Sequence, residues 1–253
     1  MTTQLDTKRA LIVAVASGKG GVGKTSLTLN ISRALAKMGK RVLVFDADIG
    51  LANIDVQLGL APGKDLSDVL QGKAMVKDVI AKTDKGFDVV PGRSGGEDLP
   101  FITGVERQQM LRQVQDVAEN YDLILLDVAA GVSDEVLTFA KFADRTLLVV
   151  TPDPSSITDA YAVIKLLKLR HNVANCTALV NMATSETDGK NTYTKLKTAA
   201  EKFLQINLPL TGILVHDKAY TQAVRMQQLA IDAAAHLKLA EQLNTIAKAV
   251  IQR

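Results

Sequence analysis

The chain has 253 residues, of which 47% are hydrophobic and 23% are charged. This composition allows one sizeable core and excludes the polar bias of a disordered chain. Thirty basic against 27 acidic residues give a formal charge of +3, and because no tail concentrates the charge, nucleic-acid binding is neither indicated nor excluded. We predict a single domain over 1–253 with a short flexible N-terminus at 1–9.

The sequence also indicates a compartment. Cys176 is the only cysteine, so it cannot form an intramolecular disulfide or a CxxC metal site, and we interpret it as a small buried apolar residue in a reducing environment. The segment MTTQLDTKRA lacks the apolar stretch of a signal peptide, and the apolar runs are too short to span a bilayer. We expect a cytoplasmic protein whose membrane contact, if it has any, is peripheral.

Short β-branched runs alternate with longer helical patterns along the chain. The predicted strands, nearly all apolar on both faces, are 10–17, 41–46, 87–91, 121–127, 145–151, 176–181 and 210–215. The predicted helices are 25–38, 105–120, 155–170 and 192–204. This alternation is typical of right-handed βαβ units. We therefore predict an α/β fold with a doubly wound, mostly parallel sheet, helices on both faces, and a ligand at the carboxyl ends of the strands.

A glycine-rich segment, GKGGVGKTS, follows the first predicted strand directly and opens the first predicted helix. It satisfies the phosphate-loop pattern G-x-x-x-x-G-K-[ST]. Its backbone N–H groups and the helix N-terminus would hold phosphate, Lys24 would reach the β- and γ-phosphates, and the Thr25 hydroxyl would bind Mg²⁺. The residues expected to bind the nucleotide here are Gly18, Gly20, Gly21, Val22, Gly23, Lys24, Thr25 and Ser26, with Ser26 at the α-phosphate.

Carboxylates follow two other predicted strands. The segment DADIGLANID places Asp46 and Asp48 at a strand end, and LILLDVAAG places Asp127 at another. A carboxylate at the end of an apolar strand is costly to bury without a cation. We therefore expect Asp127 to hold magnesium.

Lys19 gives the loop the form KGGxGK[ST], which resembles the MinD/ParA group of deviant Walker A ATPases. The resemblance implies that Lys19 reaches across a two-fold interface to phosphates bound by a second subunit, so that two ATP molecules lie within a homodimer. It also implies that Asp48 positions the attacking water while Asp46 lies near the magnesium shell. Asn53 and Asp55 would belong to the same switch loop. For these two residues, a contact to the site and a purely structural role in a turn remain equal alternatives.

The same resemblance implies a base pocket. Asn181, at the end of a predicted strand, would bind the adenine edge, and the segment 215–217 with Asp217 would close the pocket. Asn at a strand end is also a frequent turn former, which leaves a structural role open.

Two stretches, 125–144 and 149–167, resemble most closely the FlhG (also called FleN) regulators of flagellar number. This likeness implies a flagellar or polar-assembly partner. The N-terminus lacks the DQAxxLR-type segment with which such regulators stimulate a partner GTPase, so activation of that GTPase is not expected.

The C-terminal segment 232–253 is predicted to be an amphipathic helix. Its apolar face consists of Leu239, Leu243, Ile246, Ala247, Val250 and Ile251. No Trp or Phe anchors this face, so a helix docked on the sheet is favoured over one that binds lipid, and any membrane contact should be weak.

The leading hypothesis is therefore a Mg-ATP-dependent ATPase that dimerises, hydrolyses ATP slowly and regulates a cellular assembly, flagellar number or placement above all. The alternative is a ParA-like partition ATPase whose ATP dimer holds DNA through a basic stripe. The residues considered for that stripe are Lys195, Lys197, Lys202 and Arg225. A metallocluster carrier is disfavoured because such carriers need cysteines.

Overall fold

The computed structural model describes residues 9–48, 52–92, 103–233 and 237–252. Of the predicted flexible N-terminus, only Arg9 lies within these ranges. The middle of the switch segment, 49–51, lies outside them, as do 234–236 and 253 of the predicted C-terminal segment.

Eight strands within the described ranges form one sheet. They are β1 Leu11–Ser17, β2 Val42–Ala47, β3 Ala81–Lys82, β4 Asp88–Val90, β5 Leu123–Ala130, β6 Arg145–Val150, β7 Cys176–Ala183 and β8 Leu210–Val215. Their order is β3-β4-β2-β5-β1-β6-β7-β8. β3 runs antiparallel to β4, and the other neighbours are parallel. The seven predicted strands are confirmed; β3 was not predicted because two residues carry no periodicity.

The helices are α1 Lys24–Lys37, α2 Ile54–Leu58, α3 Leu66–Leu70, α4 Gly104–Val117, α5 Asp134–Phe142, α6 Pro154–His171, α7 Glu186–Leu204, α8 Lys218–Arg225 and α9 Leu237–Ile251. The four predicted helices are present. α7 begins six residues earlier than predicted, at Glu186 directly after its Ser185 cap, because Gly189 in its first turns obscures the helical pattern. A Cβ on Gly189 would lie 2.3 Å from an Ile213 methyl, so the small residue lets α7 pack closely on β8.

Apolar side chains cover both faces of the sheet. Strand residues such as Val13 and Val15 point to the face covered by α1 and α9, whereas Ile12 and Ala14 point to the face covered by α4, α5, α6 and α7. This two-sided burial confirms the doubly wound α/β fold.

Helix α9 is docked on this sheet. Its apolar face packs against α1 and β8 and is buried, with Leu243 fully enclosed. The C-terminal helix is therefore docked on the protein, as favoured from the sequence. Within the described ranges, no helix combines the length and the apolar character needed to cross a bilayer.

Strand β1 lies at the centre of the sheet, between β5 and β6. The chain leaves β1 for α1 on one face and leaves β6 for α6 on the other. A crevice opens at such a switch point beyond the carboxyl ends of the strands. The phosphate loop lies in this crevice.

Candidate functional site

The phosphate loop connects β1 to α1 by a tight path that depends on glycine at two positions in particular. Gly23 has φ +87°, a left-handed conformation, and a Cβ there would lie 2.6 Å from the Asn181 amide nitrogen. A Cβ on Gly18 would lie 2.3 Å from the backbone of Asp159 in α6. The loop therefore sits tightly between α6 and β7 and directs its backbone towards the N-terminus of α1.

A cavity of about 760 Å³ opens on this loop. It is lined by Gly20, Gly21, Gly23, Lys24, Thr25, Ser26, Asp48, Asn53, Gln57, Ala129, Ala130, Met182, Tyr220, Thr221, Val224 and Arg225. Its volume lies in the range of small-molecule sites, about 300–1,000 Å³. Of the predicted loop residues, Gly18, Lys19 and Val22 do not line this cavity.

Lys24 is the buried cation of the cavity. Desolvation lowers the pKa of its ammonium group, while the charges of Asp127 and Asp48 oppose that shift. Lys24 thus lies within electrostatic reach of both carboxylates. The two acidic neighbours favour the charged form of this buried lysine, and a charged ammonium group can bind a polyphosphate.

Asp46 and Asp127 occupy paired positions on neighbouring strands, β2 and β5, and both are buried. Burial, together with the charge of Asp127, raises the pKa of Asp46 to about 8. Burial likewise raises the pKa of Asp127 to about 6, against hydrogen bonds from Thr25 and Thr28 and the charge of Lys24. Two carboxylates so close together in the core favour a cation between the sheet and the cavity.

The carboxylate of Asp46 also organises the switch segment. Its oxygens accept hydrogen bonds from the backbone N–H groups of Asp48, Asn53 and Ile54, each at 3.2 Å. This holds the two described ends of the segment against β2 and leaves Asp48 facing the cavity. Asn53 also lines the cavity, whereas Asp55 is buried and accepts from the N–H of Val56 at 2.8 Å.

The oxygen donors suit magnesium. Thr25 and Asp127 present a hydroxyl and a carboxylate that contact each other, and Asp46 adds a second buried carboxylate beside them. Within the described ranges, no three His, Cys, Asp or Glu side chains are grouped as an all-protein metal site would need. Mg²⁺ does not need such a group, since it usually keeps several waters and binds one or two carboxylates plus substrate phosphates.

Lys19 points away from the large cavity. Its Nζ donates to Asp153 Oδ2 at 2.6 Å and to Ser155 Oγ at 2.7 Å, at the N-terminus of α6. Lys19 and Asp153 line a second cavity, of about 390 Å³, which shares Gly20, Gly21 and Met182 with the first. The two lysines of the loop therefore line different cavities.

The predicted base-pocket residues have structural partners. The Asn181 amide donates to the carbonyl of Val22 at 2.8 Å and so holds the phosphate loop. The Asp217 carboxylate accepts from the N–H of Ala219 at 2.7 Å and caps α8. The side of the cavity beyond them is formed by α8 residues and by Met182, which has the left-handed φ of +57°. Such strain in a non-glycine residue is concentrated at functional sites, but the sequence carried no signal for it.

Comparisons with known proteins show the family to which this chain belongs. A ParA family model described as "NUBPL iron-transfer P-loop NTPase" matches residues 8–251. The chain belongs to the ParA family of P-loop NTPases. The antiactivator FleN of Pseudomonas aeruginosa is 38% identical over 239 residues, which are 94% of this chain and 85% of FleN. The flagellum site-determining protein YlxH of Helicobacter pylori is 33% identical over 242 residues, 95% of this chain and 82% of YlxH.

Solved structures of this family share the fold. The MinC:MinD cell division complex of Aquifex aeolicus matches with a TM-score of 0.79 and 29% identity, over 96% of each chain. The resemblance to MinD/ParA ATPases and to FlhG/FleN regulators is thereby confirmed.

Iron transfer, named in the description of the ParA family model, finds no support in the one cysteine. Cys176 is buried at the start of β7, and burial raises the pKa of its thiol to about 12. A buried neutral thiol is a poor metal ligand, because the thiolate is the form that binds.

The cations considered for a DNA-binding stripe lie apart in this ParA-family fold. Arg225 lines the nucleotide cavity from α8. The three lysines are on α7, where Lys197 pairs with Glu201 and Lys202 lies over the ring of Phe203. Helix α7 packs on one face of the sheet and α8 on the other, so the geometry adds no support to the partition alternative.

Proposed function

We propose that this chain is a Mg-ATP-dependent dimerisation switch that hydrolyses ATP slowly and regulates the number or placement of flagella. The observation that supports it most is that the two lysines of the loop line different cavities. Lys24 lines the large cavity beside the carboxylates, whereas Lys19 lines the smaller adjoining cavity, where Asp153 and Ser155 hold its ammonium group. A cation held outside the cavity that binds its own nucleotide supports a role for Lys19 towards the nucleotide of a second subunit.

In the large cavity, the loop N–H groups and Lys24 bind the triphosphate, and Ser26 contacts its α-phosphate. Thr25 and Asp127 would hold Mg²⁺, with the carboxyl group of Asp46 nearby; the metal would neutralise charge on the phosphates. Asp48, which faces the cavity, orients the attacking water.

The base side is formed by β7 and α8. The Asn181 nitrogen is engaged with the loop, so its carbonyl oxygen is the atom proposed to accept from the adenine amino group. Asp217 contributes by capping α8 and thereby fixing the wall of the cavity.

Dimerisation requires Lys19 to exchange partners. In the monomer its ammonium group is held by Asp153 and Ser155, and in the dimer it contacts the phosphates bound by the second subunit. A second cation supplied in trans stabilises charge on the transferred phosphoryl group, which makes hydrolysis depend on assembly.

Two alanine variants test these roles separately. Lys24→Ala should weaken Mg-ATP binding by about 100-fold or more, because it leaves buried negative charge without its cation. Lys19→Ala should keep monomer affinity but lower the hydrolysis rate on the order of a thousand-fold. Nucleotide affinity is measured by calorimetry with a non-hydrolysable analogue, and hydrolysis by phosphate release.

The dependence of hydrolysis on protein concentration is the matching control. In the wild type, the rate per chain should rise with protein concentration until the dimer is saturated. A rate per chain that stays constant, with Lys19→Ala fully active, would exclude a shared site and leave an ordinary monomeric ATPase.

The flagellar role is supported by two relatives, the antiactivator FleN and the flagellum site-determining protein YlxH. Deletion of the gene should change the number or position of flagella, and a Lys24→Ala copy should not restore them. Normal flagella in the deletion strain would contradict the role while leaving the ATPase mechanism intact.

A further inference from the structure

Strand β7 contains an extra residue near its carboxyl end. Val180 pairs with Ile213 of β8 and Ala183 pairs with Val215, so three steps along β7 correspond to two along β8. The extra residue makes a β-bulge, and Met182 lies within it with a φ of +57°. Bulges redirect side chains and are frequent beside active sites.

The bulge changes the direction in which the side chains of β7 point. Ala178 and Val180 belong to the core on the face covered by α6 and α7, and a regular strand would direct residue 182 to the same face. Ala183 takes that place instead, whereas Met182 is 42% exposed and lines the nucleotide cavity. The extra residue therefore removes Met182 from the core and places it in the cavity.

The backbone conformation of Met182 has no ordinary structural cause. The other described non-glycine residues with positive φ are Asn172, Gln205 and Gln227, and each of them follows the end of a helix. A left-handed residue is a common way to end a helix. Met182 lies in a strand, where the same conformation costs free energy and persists only because the surrounding structure fixes it.

The Met182 side chain lies beside the phosphate loop. Its methyl carbon would be 3.5 Å from a Cβ on Gly23, and the residue before it, Asn181, donates to the loop. A thioether and its methyl group offer no strong hydrogen bond to a phosphate, but they pack favourably against an aromatic ring. The part of a nucleotide that suits Met182 is therefore the base.

Helix α8 adds apolar surface to the same side of the cavity. Val224 and Tyr220 line the cavity from this helix. The Ser26 hydroxyl donates to Tyr220 Oη at 2.9 Å, which holds α8 beside the phosphate loop. Met182 from β7 and these residues from α8 thus give the base side of the cavity an apolar lining.

We propose that Met182 is a nucleobase-binding residue, which the bulge in β7 directs onto the adenine ring. Its thioether supplies a hydrophobic contact to the face of the base, while the carbonyl oxygen of Asn181 accepts from the amino group at its edge. The inference rests on the proposed nucleotide site and assigns a residue to the recognition of the base within it.

Methyl NMR of the full chain, isotopically labelled at the methionine methyl groups, tests the contact directly. The Met182 signal is the one that disappears in Met182→Leu. Saturating Mg-ADP should move this signal upfield in the wild type, because a methyl group that lies over an aromatic ring is shielded by its ring current. Met110 is the control, since it is buried in the core and its signal should not move.

Substitutions of Met182 separate the contact from the backbone, with Mg-ADP affinity measured by calorimetry. Met182→Leu keeps an apolar side chain and should bind within about 2-fold of the wild type. Met182→Gly and Met182→Asn tolerate the positive φ but lack the apolar contact, so both should bind about 3- to 10-fold more weakly. Met182→Gly should not lower the melting temperature, whereas a purely structural role would make stability and affinity fall together.

Gln205→Gly is the matched control for relief of the backbone. Gln205 has a φ of +55° at the end of α7 and does not line the cavity. Its substitution should raise the melting temperature and leave Mg-ADP affinity unchanged.

The outcomes separate this inference from the proposed function. A Met182 signal that Mg-ADP leaves in place, a Met182→Gly chain that binds as tightly as the wild type, or a Met182→Leu chain that binds as weakly as Met182→Gly would overturn the role of Met182 alone. A wild-type chain that binds no Mg-ADP would overturn the proposed function, and this inference with it.

Discussion

The buried carboxylate of Asp46 should make the stability of the metal-free chain depend on pH. Its pKa in the folded chain is raised to about 8, first by burial and then by the charge of Asp127. In the unfolded chain an aspartate has its ordinary pKa of about 3.9. Between these values the folded state binds one proton more than the unfolded state. The stabilisation is therefore complete below about pH 4 and is lost as the pH rises towards 8.

The magnitude follows from this difference. One extra proton in the folded state corresponds to about 1.4 kcal/mol per pH unit, so raising the pH from 5 to 7 should remove about 2–3 kcal/mol of unfolding free energy. The side chain in Asp46→Asn cannot titrate. Over the same pH range, the unfolding free energy of this variant should therefore fall by about 2–3 kcal/mol less than that of the wild type. Asp127, whose pKa is also raised, adds a smaller loss in the same direction in both proteins.

Urea unfolding at pH 5, 6 and 7, with EDTA and without nucleotide, measures the effect. Asp122→Asn is the control, because Arg41 holds the pKa of Asp122 below its usual range. Asp122 is therefore ionised in both states from pH 5 to 7, and its substitution should leave the pH dependence unchanged. Equal pH dependence in the wild type and in Asp46→Asn would refute the reasoning.

Three further predictions concern packing, the loop and the dimer. Leu243→Ala should destabilise the chain by about 2–5 kcal/mol in urea unfolding, since the side chain is fully buried in α9; a loss below about 1 kcal/mol would mean that α9 is not docked. Gly18→Ala should abolish ATP binding, because the new Cβ meets the α6 backbone at 2.3 Å, whereas Gly20→Ala, with no atom within 4 Å, should fold normally and serve as its control. Asp153→Asn keeps an N-cap but removes the charge that holds Lys19, so the ATP-dependent dimer should tighten a few-fold at low salt in sedimentation experiments; a weaker dimer would contradict the exchange of partners.

The features that the sequence predicted best depend on neighbouring residues. The phosphate loop is set by glycines within one short segment, and the central strands are continuous apolar runs, so both are readable locally. For Asp46 and Asp127, the sequence predicted only that each lies at the end of a strand, on the same edge of the sheet. The shared burial that raises both pKa values needed the structure.

The features that the sequence missed depend on residues far apart in the chain. Tyr220 lies 194 residues from Ser26, and the contact between Asn181 and the loop spans 159 residues. No periodicity or motif connects such positions before the chain folds. The resemblance suggested the adenine edge for Asn181, whereas the structure shows first that its amide holds the loop. The partner of Lys19 in the monomer was missed for the same reason.

The shared nucleotide site is tested most directly by the molar mass of Asp48→Ala in Mg-ATP, measured by light scattering after size exclusion. Without Asp48 the water is not oriented, so hydrolysis should stop and the ATP-bound assembly should persist. We predict twice the chain mass of 27.1 kDa with ATP, and the single-chain mass when Lys19→Ala is added. A single-chain mass for Asp48→Ala saturated with Mg-ATP, or a dimer that survives Lys19→Ala, would contradict the account.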